Sequence, residues 1–210
     1  MNVRHILKST ASRFSDKPAI IFKERQITFP QLNENVLKLA NALKSIGVKK
    51  GDKVAIFLPN SPEYAYSYLA IFCLGAVGVP LDYMLKNDEL TSCLSHSETK
   101  FLIGLDNHDV SLLDIKRAVS TIQDIILLGA KKEGTISYED IVAKADTQLP
   151  EIQILDSDPS LIMYTSGTTG KPKGILLNYK HLDGSPEAMK YFVDLSEKDV
   201  KLSALPLSHI

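Results

Sequence analysis

The sequence predicts an α/β fold, a doubly wound and mostly parallel sheet with flanking helices. Three observations predict it. Short apolar runs alternate along the chain with helical patterns, which is the rhythm of strand–helix–strand units. The run at residues 54–58 contains no polar residue, which suits a strand covered on both faces. The 210 residues are 44% hydrophobic and 23% charged, a balance typical of a globular domain that buries a sizeable core.

The first elements are a helix, a pair of short strands and a second helix. Thr28 and Gln31 have the spacing of a capping box, and Pro30 falls in the first helical turn, where its missing N–H does no harm. Gly47 closes the second helix. The patterns place the first helix at residues 2–14 and the two strands at 19–22 and 26–29.

The strand at 54–58 is followed by a clear helix start. Ser61, Pro62 and Glu63 supply a cap, a first-turn proline and a first-turn acid. The alternation then continues with strands at 78–81, 101–104 and 125–128 and helices at 87–97 and 110–119. Residues 130–157 are more polar and predict a short helix and a loop.

Composition excludes several classes of protein. The formal net charge of −1 provides no global field for nucleic acid. Cys73 and Cys93 are too few for a zinc cluster or a disulfide framework, and we expect both to be small buried hydrophobes in a reducing compartment, the cytoplasm. Residues 64–81 carry no charge, but glycines and a proline interrupt them, which favours a buried helix and strand over a membrane span. The N-terminus shows no signal-peptide pattern.

Residues 164–174 carry the strongest chemical signal. They contain three glycines, four Ser or Thr hydroxyls and two lysines, between two apolar stretches that predict strands. Glycines let the backbone approach an anion, hydroxyls donate hydrogen bonds to phosphate oxygens, and lysines neutralise charge. The composition and order of this loop therefore predict a cradle for a polyphosphate.

Two better-known phosphate loops do not match these residues. A Walker loop needs Gly at 165 and Ser or Thr at 172, where this chain has Thr165 and Pro172. A dinucleotide-binding loop needs a helix straight after its glycines, whereas an apolar strand follows here. A flexible linker between strands remains as an alternative that ranks far below the phosphate loop.

The string at 164–174 resembles the signature loop of the adenylate-forming superfamily: acyl- and aryl-CoA synthetases, luciferases and peptide-synthetase adenylation domains. The sequence is most like a bacterial fatty-acid or acyl-CoA synthetase, on the strength of residues 80–86. The resemblance covers nearly the whole chain and implies the N-terminal part of that fold. Further segments that resemble the superfamily lie at 19–29, 47–55, 75–81 and 205–209.

The resemblance implies a two-step reaction. A carboxylic acid attacks the α-phosphate of ATP held with Mg2+, releasing pyrophosphate, and coenzyme A then displaces AMP from the acyl-adenylate. Lys173 and His209 are the implied catalytic residues, with His209 near the acid and the α-phosphate. The residues implied to embrace the β- and γ-phosphates are Thr165, Ser166, Gly167, Thr168, Thr169, Gly170 and Lys173. No metal ligand is assigned.

The sequence departs from the superfamily pattern in two places. Tyr179 stands where the superfamily often has a histidine, so His181 is not the matching residue. Ser208 stands where an aromatic residue often precedes the histidine of the later element. The other histidines match no motif and are expected on surfaces or at helix ends: His5, His96 and His108.

The adenine, ribose and lid elements of the superfamily would lie beyond residue 210. We therefore expect a first α/β subdomain at 1–157, a phosphate-loop hairpin opening the next subdomain at 158–210, and no activity from these residues alone. Two other functions stay open: loading of a carrier-protein thiol, and a non-catalytic structural role. A homodimer is also left open.

Overall fold

The computed structural model describes residues 2–149, 151–165, 173–182, 194 and 196–209. The helices are α1 (Val3–Arg13), α2 (Phe29–Ser45), α3 (Pro62–Cys73), α4 (Asn87–His96), α5 (Leu112–Ala118) and α6 (Tyr138–Lys144). The strands are β1 (Pro18–Phe22), β2 (Arg25–Thr28), β3 (Lys53–Phe57), β4 (Val77–Pro80), β5 (Phe101–Gly104), β6 (Asp124–Leu127), β7 (Ile136–Ser137), β8 (Pro159–Thr165) and β9 (Lys173–Asn178). A short 3-10 helix spans Leu207–His209.

Seven of these strands form one sheet in the order β7-β6-β5-β3-β4-β8-β9, and β1 and β2 form a separate antiparallel hairpin. Every pairing in the large sheet is parallel except that of β8 with β9. From β3 the chain moves to β4 on one side, then crosses to β5 and β6 on the other side. The prediction of a doubly wound, mostly parallel sheet is therefore confirmed.

The alternation of side chains along β3 explains why helices cover both faces of the sheet. Val54 and Ile56 belong to one buried cluster, which also contains residues of α2 and α3. Ala55 and Phe57 belong to a second cluster, which contains residues of α4 and α5. All four side chains are fully buried. Because successive strand residues point to opposite faces, an unbroken apolar run requires a helical layer on each side.

Local capping chemistry fixes two helix starts as predicted. The Thr28 hydroxyl accepts from Gln31 N–H, and the Gln31 side chain accepts from Thr28 N–H, so the capping box is complete. The Ser61 hydroxyl accepts from Tyr64 N–H at the start of α3. Phe29, predicted as the last residue of a strand, instead begins α2, because the cap at Thr28 commits the next residue to the helix.

The structure also bears on the predictions for the two cysteines, the polar segment 130–157 and the uncharged segment 64–81. Cys73 and Cys93 are free and buried, in α3 and α4, as expected. The segment 130–157 contains the short helix predicted there and also the two-residue strand β7, which the sequence did not reveal. Residues 64–81 form most of α3 and then β4. Within the described ranges, no helix combines the length and apolarity that crossing a membrane would require.

Candidate functional site

The topology predicts a ligand-binding crevice at the carboxyl ends of β4 and β8. After β4 the chain crosses to the far side of β3, whereas after β8 it turns outward to β9. The two connections therefore leave neighbouring parallel strands in opposite directions. In doubly wound sheets, ligands bind at such points.

The hairpin of β8 and β9 brings two of the predicted phosphate-binding residues together. Thr165, the last residue of β8, is paired in register with Lys173, the first residue of β9. Both residues are exposed, at the end of the β8–β9 pairing that is next to residues 166–172 and lies at the carboxyl edge of the sheet. The remaining predicted loop residues lie outside the described residues: Ser166, Gly167, Thr168, Thr169 and Gly170.

The predicted catalytic residue His209 stands over the end of β4. Its Nε2 atom lies 3.2 Å from Oδ2 of Asp82, two residues beyond that strand. An ionised carboxylate can only accept, so Nε2 carries a proton in this contact. The imidazole is half exposed, with 53% of the side chain accessible, which leaves the ring open to a ligand in the crevice.

Asn60 holds the segment that carries His209. The Asn60 side-chain amide donates to the carbonyl of Leu205 at 2.8 Å, and its Oδ1 accepts from Leu207 N–H at 2.8 Å. Asn60 lies between β3 and α3, so a connection at the carboxyl edge of the sheet fixes a segment about 145 residues later. Sequence reasoning missed both Asn60 and Asp82. Their signal was that each follows a buried parallel strand closely, where such side chains share one edge.

Two buried hydroxyls belong to this neighbourhood and have no hydrogen-bond partner among the described residues: those of Tyr64 and Ser208. Burial raises the pKa of Tyr64 strongly, and the neighbouring Tyr68 and Asp82 add to the effect. The Tyr64 phenol is therefore neutral and remains a donor. Buried hydroxyls are nearly always paired, so these two leave unused hydrogen-bonding capacity near His209.

A second unpredicted group anchors the hairpin of β8 and β9. The Tyr164 hydroxyl donates to the carbonyl of Cys93 at 2.8 Å, and Nδ1 of His96 lies 2.8 Å from the same hydroxyl. Burial, followed by the nearby Cys93, raises the pKa of Tyr164 to about 12, so the phenol stays protonated. His96 is exposed at the end of α4, as predicted, but its contact with Tyr164 was not foreseen.

Tyr179, which directly follows β9, anchors the end of that strand in the core. Its side chain is fully buried, and its hydroxyl donates to the carbonyl of Phe72 at 3.2 Å. His181 accepts from Asn178 N–H at 3.0 Å and so contributes to the local turn. The departure from the superfamily pattern at this point places a buried anchor at 179.

One cavity of the molecule lies away from the predicted site residues. A cleft of about 510 Å³ lies between α1 and residues 147–154, and none of the predicted site residues lines it. In the part of the chain that the structure describes, no group of three or more His, Cys, Asp or Glu could hold a metal ion. The described residues among the predicted site, Thr165, Lys173 and His209, lie instead near the carboxyl ends of β4 and β8.

Comparison with known proteins decides the family. Residues 7–210 match the family model described as "AMP-binding enzyme". The chain belongs to this family. The predicted membership of the adenylate-forming superfamily is thus confirmed, and the phosphate-loop string at 164–174 lies within the matched range.

Relatives of the chain in sequence include CoA ligases. Crotonobetaine/carnitine–CoA ligase of Salmonella heidelberg strain SL476 is 28% identical over 219 residues, covering 100% of this chain and 42% of that enzyme. The protein from Salmonella typhimurium strain LT2 has the same identity and coverage. The chain thus spans less than half the length of these curated relatives.

Solved structures extend the likeness to the fold. The N-terminal domain of FACL13 from Mycobacterium tuberculosis, in an inhibitor-bound crystal structure, matches 99% of this chain and 52% of its own with a TM-score of 0.88 and 27% identity. The anthranilate CoA ligase AuaEII, in complex with anthranoyl-AMP, matches 89% of this chain and 36% of its own with a TM-score of 0.83 and 28% identity. The expected N-terminal part of a CoA-ligase fold is confirmed.

Proposed function

We propose that the whole protein activates a carboxylic acid with ATP and transfers the acyl group to coenzyme A. In the first step a carboxylate oxygen attacks the α-phosphorus, and the bond to pyrophosphate breaks. In the second step the CoA thiol attacks the acyl carbon, loses its proton and releases AMP. A fatty acid is the proposed substrate, on the resemblance of residues 80–86.

The observation that carries this proposal is the pairing of Thr165 with Lys173 at the end of the hairpin next to residues 166–172. A hydroxyl and an ammonium group stand on opposite strands at one edge of the sheet, on either side of the glycine-rich loop. Negative charge accumulates on pyrophosphate as it leaves, and a positioned cation stabilises that charge in the transition state. Thr165 and Lys173 therefore support binding of the β- and γ-phosphates, with the residues at 166–170 completing the cradle.

The contact between His209 and Asp82 supports a role at the acid and the α-phosphate. Asp82 holds the ring through Nε2, and 53% of the His209 side chain remains accessible. We propose that His209 orients the attacking carboxylate and the α-phosphate. Mg2+ is proposed to accompany ATP as its counter-ion.

Further features of the whole protein are part of the same proposal. We place it in the cytoplasm, with no nucleic-acid partner, and we retain the division into subdomains at 1–157 and 158–210. Residues 1–210 alone are proposed to be inactive, since the relatives are more than twice as long. A homodimer is retained as a candidate assembly.

Exchange of labelled pyrophosphate into ATP tests the first step. We expect exchange only when the acid is supplied, and we expect Lys173→Ala to slow it by about 100-fold, the usual effect of removing one group that stabilises the transition state. Lys180→Ala is the matched control, because Lys180 is exposed beyond the other end of β9. Equal exchange in the Lys173→Ala and Lys180→Ala proteins would contradict the role of Lys173.

Analysis of products tests the second step. The whole protein, supplied with acid and ATP, should form an acyl thioester with coenzyme A. If it acylates only a carrier-protein thiol, the acceptor in this proposal is wrong while the adenylation step stands. A screen of acids of different chain length then tests whether a fatty acid is the substrate.

A further inference from the structure

Helix α4 is connected to both ends of the proposed phosphate loop. On one side, the Tyr164 hydroxyl reaches the carbonyl of Cys93 and Nδ1 of His96, each at 2.8 Å. The His96 and Tyr164 rings also meet edge to face, with centroids 5.7 Å apart. Tyr164 immediately precedes Thr165, so these contacts act next to the first proposed phosphate-binding residue.

The number of available protons fixes the direction of the hydrogen bonds among Tyr164, the Cys93 carbonyl and His96. The Tyr164 hydroxyl has one proton, and the carbonyl of Cys93 can only accept it. His96 must therefore donate its Nδ1 proton to the phenol oxygen. Both the neutral Nδ1–H tautomer and the imidazolium can do this, and the raised pKa of Tyr164 keeps the phenol protonated.

On the other side, the same imidazole packs against β9. A Cβ atom placed on Gly174 would lie 3.3 Å from Cε1 of His96 and 3.4 Å from Cε1 of Tyr164. Gly174 is in register with Tyr164 and directly follows Lys173. Because residue 174 has no side chain, His96 can lie close to both strands at the end of the hairpin next to residues 166–172.

We infer that His96 is a positioning residue for the β- and γ-phosphates of ATP, acting through the Tyr164 hydroxyl and the backbone at Gly174. By holding these two residues, His96 sets the placement of their neighbours Thr165 and Lys173. The inference rests on the proposed function, because it assumes that these neighbours bind the triphosphate. It adds a residue of α4, outside the 164–174 string, to the phosphate site.

Comparing the affinities for MgATP and AMP separates an effect on the β- and γ-phosphates from an effect on the rest of the nucleotide site. AMP lacks the β- and γ-phosphates, so its affinity reports the rest of the site. By calorimetry on the whole protein, we expect His96→Phe to weaken MgATP binding about five-fold, the effect of losing one hydrogen bond, and to leave AMP affinity unchanged. The same substitution at His108, an exposed histidine between β5 and α5, is the matched control and should change neither affinity.

A conservative variant and a double-mutant cycle separate positioning from general stability. The side-chain amide of Asn places an N–H at the same number of bonds from the backbone as Nδ1, so His96→Asn should restore most of the MgATP affinity. Tyr164→Phe also removes the hydrogen bond to the Cys93 carbonyl, so it should cost at least as much as His96→Phe, and the double variant should cost no more than Tyr164→Phe alone.

The outcomes distinguish this inference from the proposed function. If Lys173→Ala weakens MgATP binding and His96→Phe does not, the inference is wrong and the proposed function stands. Equal losses of MgATP and AMP affinity in His96→Phe, or additive losses in the double variant, would also overturn it. If Lys173→Ala leaves MgATP affinity unchanged, the proposed role of the loop fails, and the inference fails with it.

Discussion

The central strand β3 and the edge strand β9 look alike in sequence but differ in burial. Both contain consecutive apolar residues, 54–57 in β3 and 175–177 in β9. Those in β3 are fully buried, because β4 and β5 flank the strand and helices cover both faces. In β9, Ile175 and Leu176 are 48% and 56% exposed, since in the described chain β9 pairs with β8 alone.

The difference in burial distinguishes the part of the fold that provides stability from the part that carries the proposed ATP-binding residues. Fully buried contacts are concentrated in β3 to β6 and their covering helices. The residues proposed to meet ATP are exposed, Thr165 and Lys173 at strand ends and His209 in the short 3-10 helix, as in many folds that carry the function on the rim of a rigid scaffold. Changes in the first region should therefore mainly alter stability, and changes in the second should mainly alter ligand affinity.

The largest contrast is expected from one substitution made in both regions. Ile103→Ala in β5 removes a fully buried side chain and leaves a cavity, so it should lower the free energy of unfolding by about 3 kcal/mol. Ile175→Ala in β9 removes a half-exposed side chain and should cost less than about 1 kcal/mol. Urea unfolding of the two variants measures both effects. Similar losses would show that β9 is as tightly packed as the centre of the sheet.

Replacing a glycine by alanine in each of the two regions should give a smaller difference in stability. A Cβ at Gly104 would lie 2.6 Å from Cδ1 of the buried Leu112 and 3.2 Å from the carbonyl oxygen of Phe57. That oxygen is held by Leu105 N–H, so neither neighbour can withdraw freely, and Gly104→Ala should cost about 2 kcal/mol.

Gly174→Ala is the matched control for that substitution. Its closest contacts are 3.2 to 3.4 Å and include the exposed His96, which can move. It should cost less than about 1 kcal/mol of stability. If thermal unfolding ranks the two alanine variants the other way round, the hairpin is the more rigid region.

The smallest effect is expected at the junction of the two regions. Tyr179→Phe removes the hydrogen bonds to the carbonyls of Phe72, at 3.2 Å, and Ala76, at 3.5 Å, but the Phe72 carbonyl also accepts from Gly75 N–H at 3.1 Å. The nearer acceptor therefore keeps a partner, so the loss should be about 1 kcal/mol or less in urea unfolding. A loss several times larger would show that the hydroxyl anchors β9 as a whole.

Much of the fold could be predicted from local patterns. The capping residues Thr28 and Ser61 identified two helix starts, because a hydroxyl at that position satisfies an otherwise unpaired N–H. The uninterrupted apolar run at 54–57 indicated a strand covered on both faces. The strand β7 could not be predicted, since its two residues form no apolar run and are held by pairing with β6.

The candidate site could be predicted only in part. The string at 164–174 identified the hairpin and its lysine through composition alone. The contributions of Asn60, Asp82 and His96 were missed, because each acts on a residue 68 to 147 positions away in the chain. No local pattern records such a contact.

By itself, the sequence determined most of the segments that form strands and helices, the family, and the glycine, hydroxyl and lysine content on which the proposed phosphate loop rests. These properties depend on residues that are neighbours along the chain, where hydrogen bonding, side-chain period and glycine content act locally. The tertiary structure decided which apolar strand lies at the centre and which at the edge, and which polar side chains meet at the ends of β4 and β8. Those outcomes depend on how parallel strands are ordered, and that order follows from burying the apolar faces of the whole chain together.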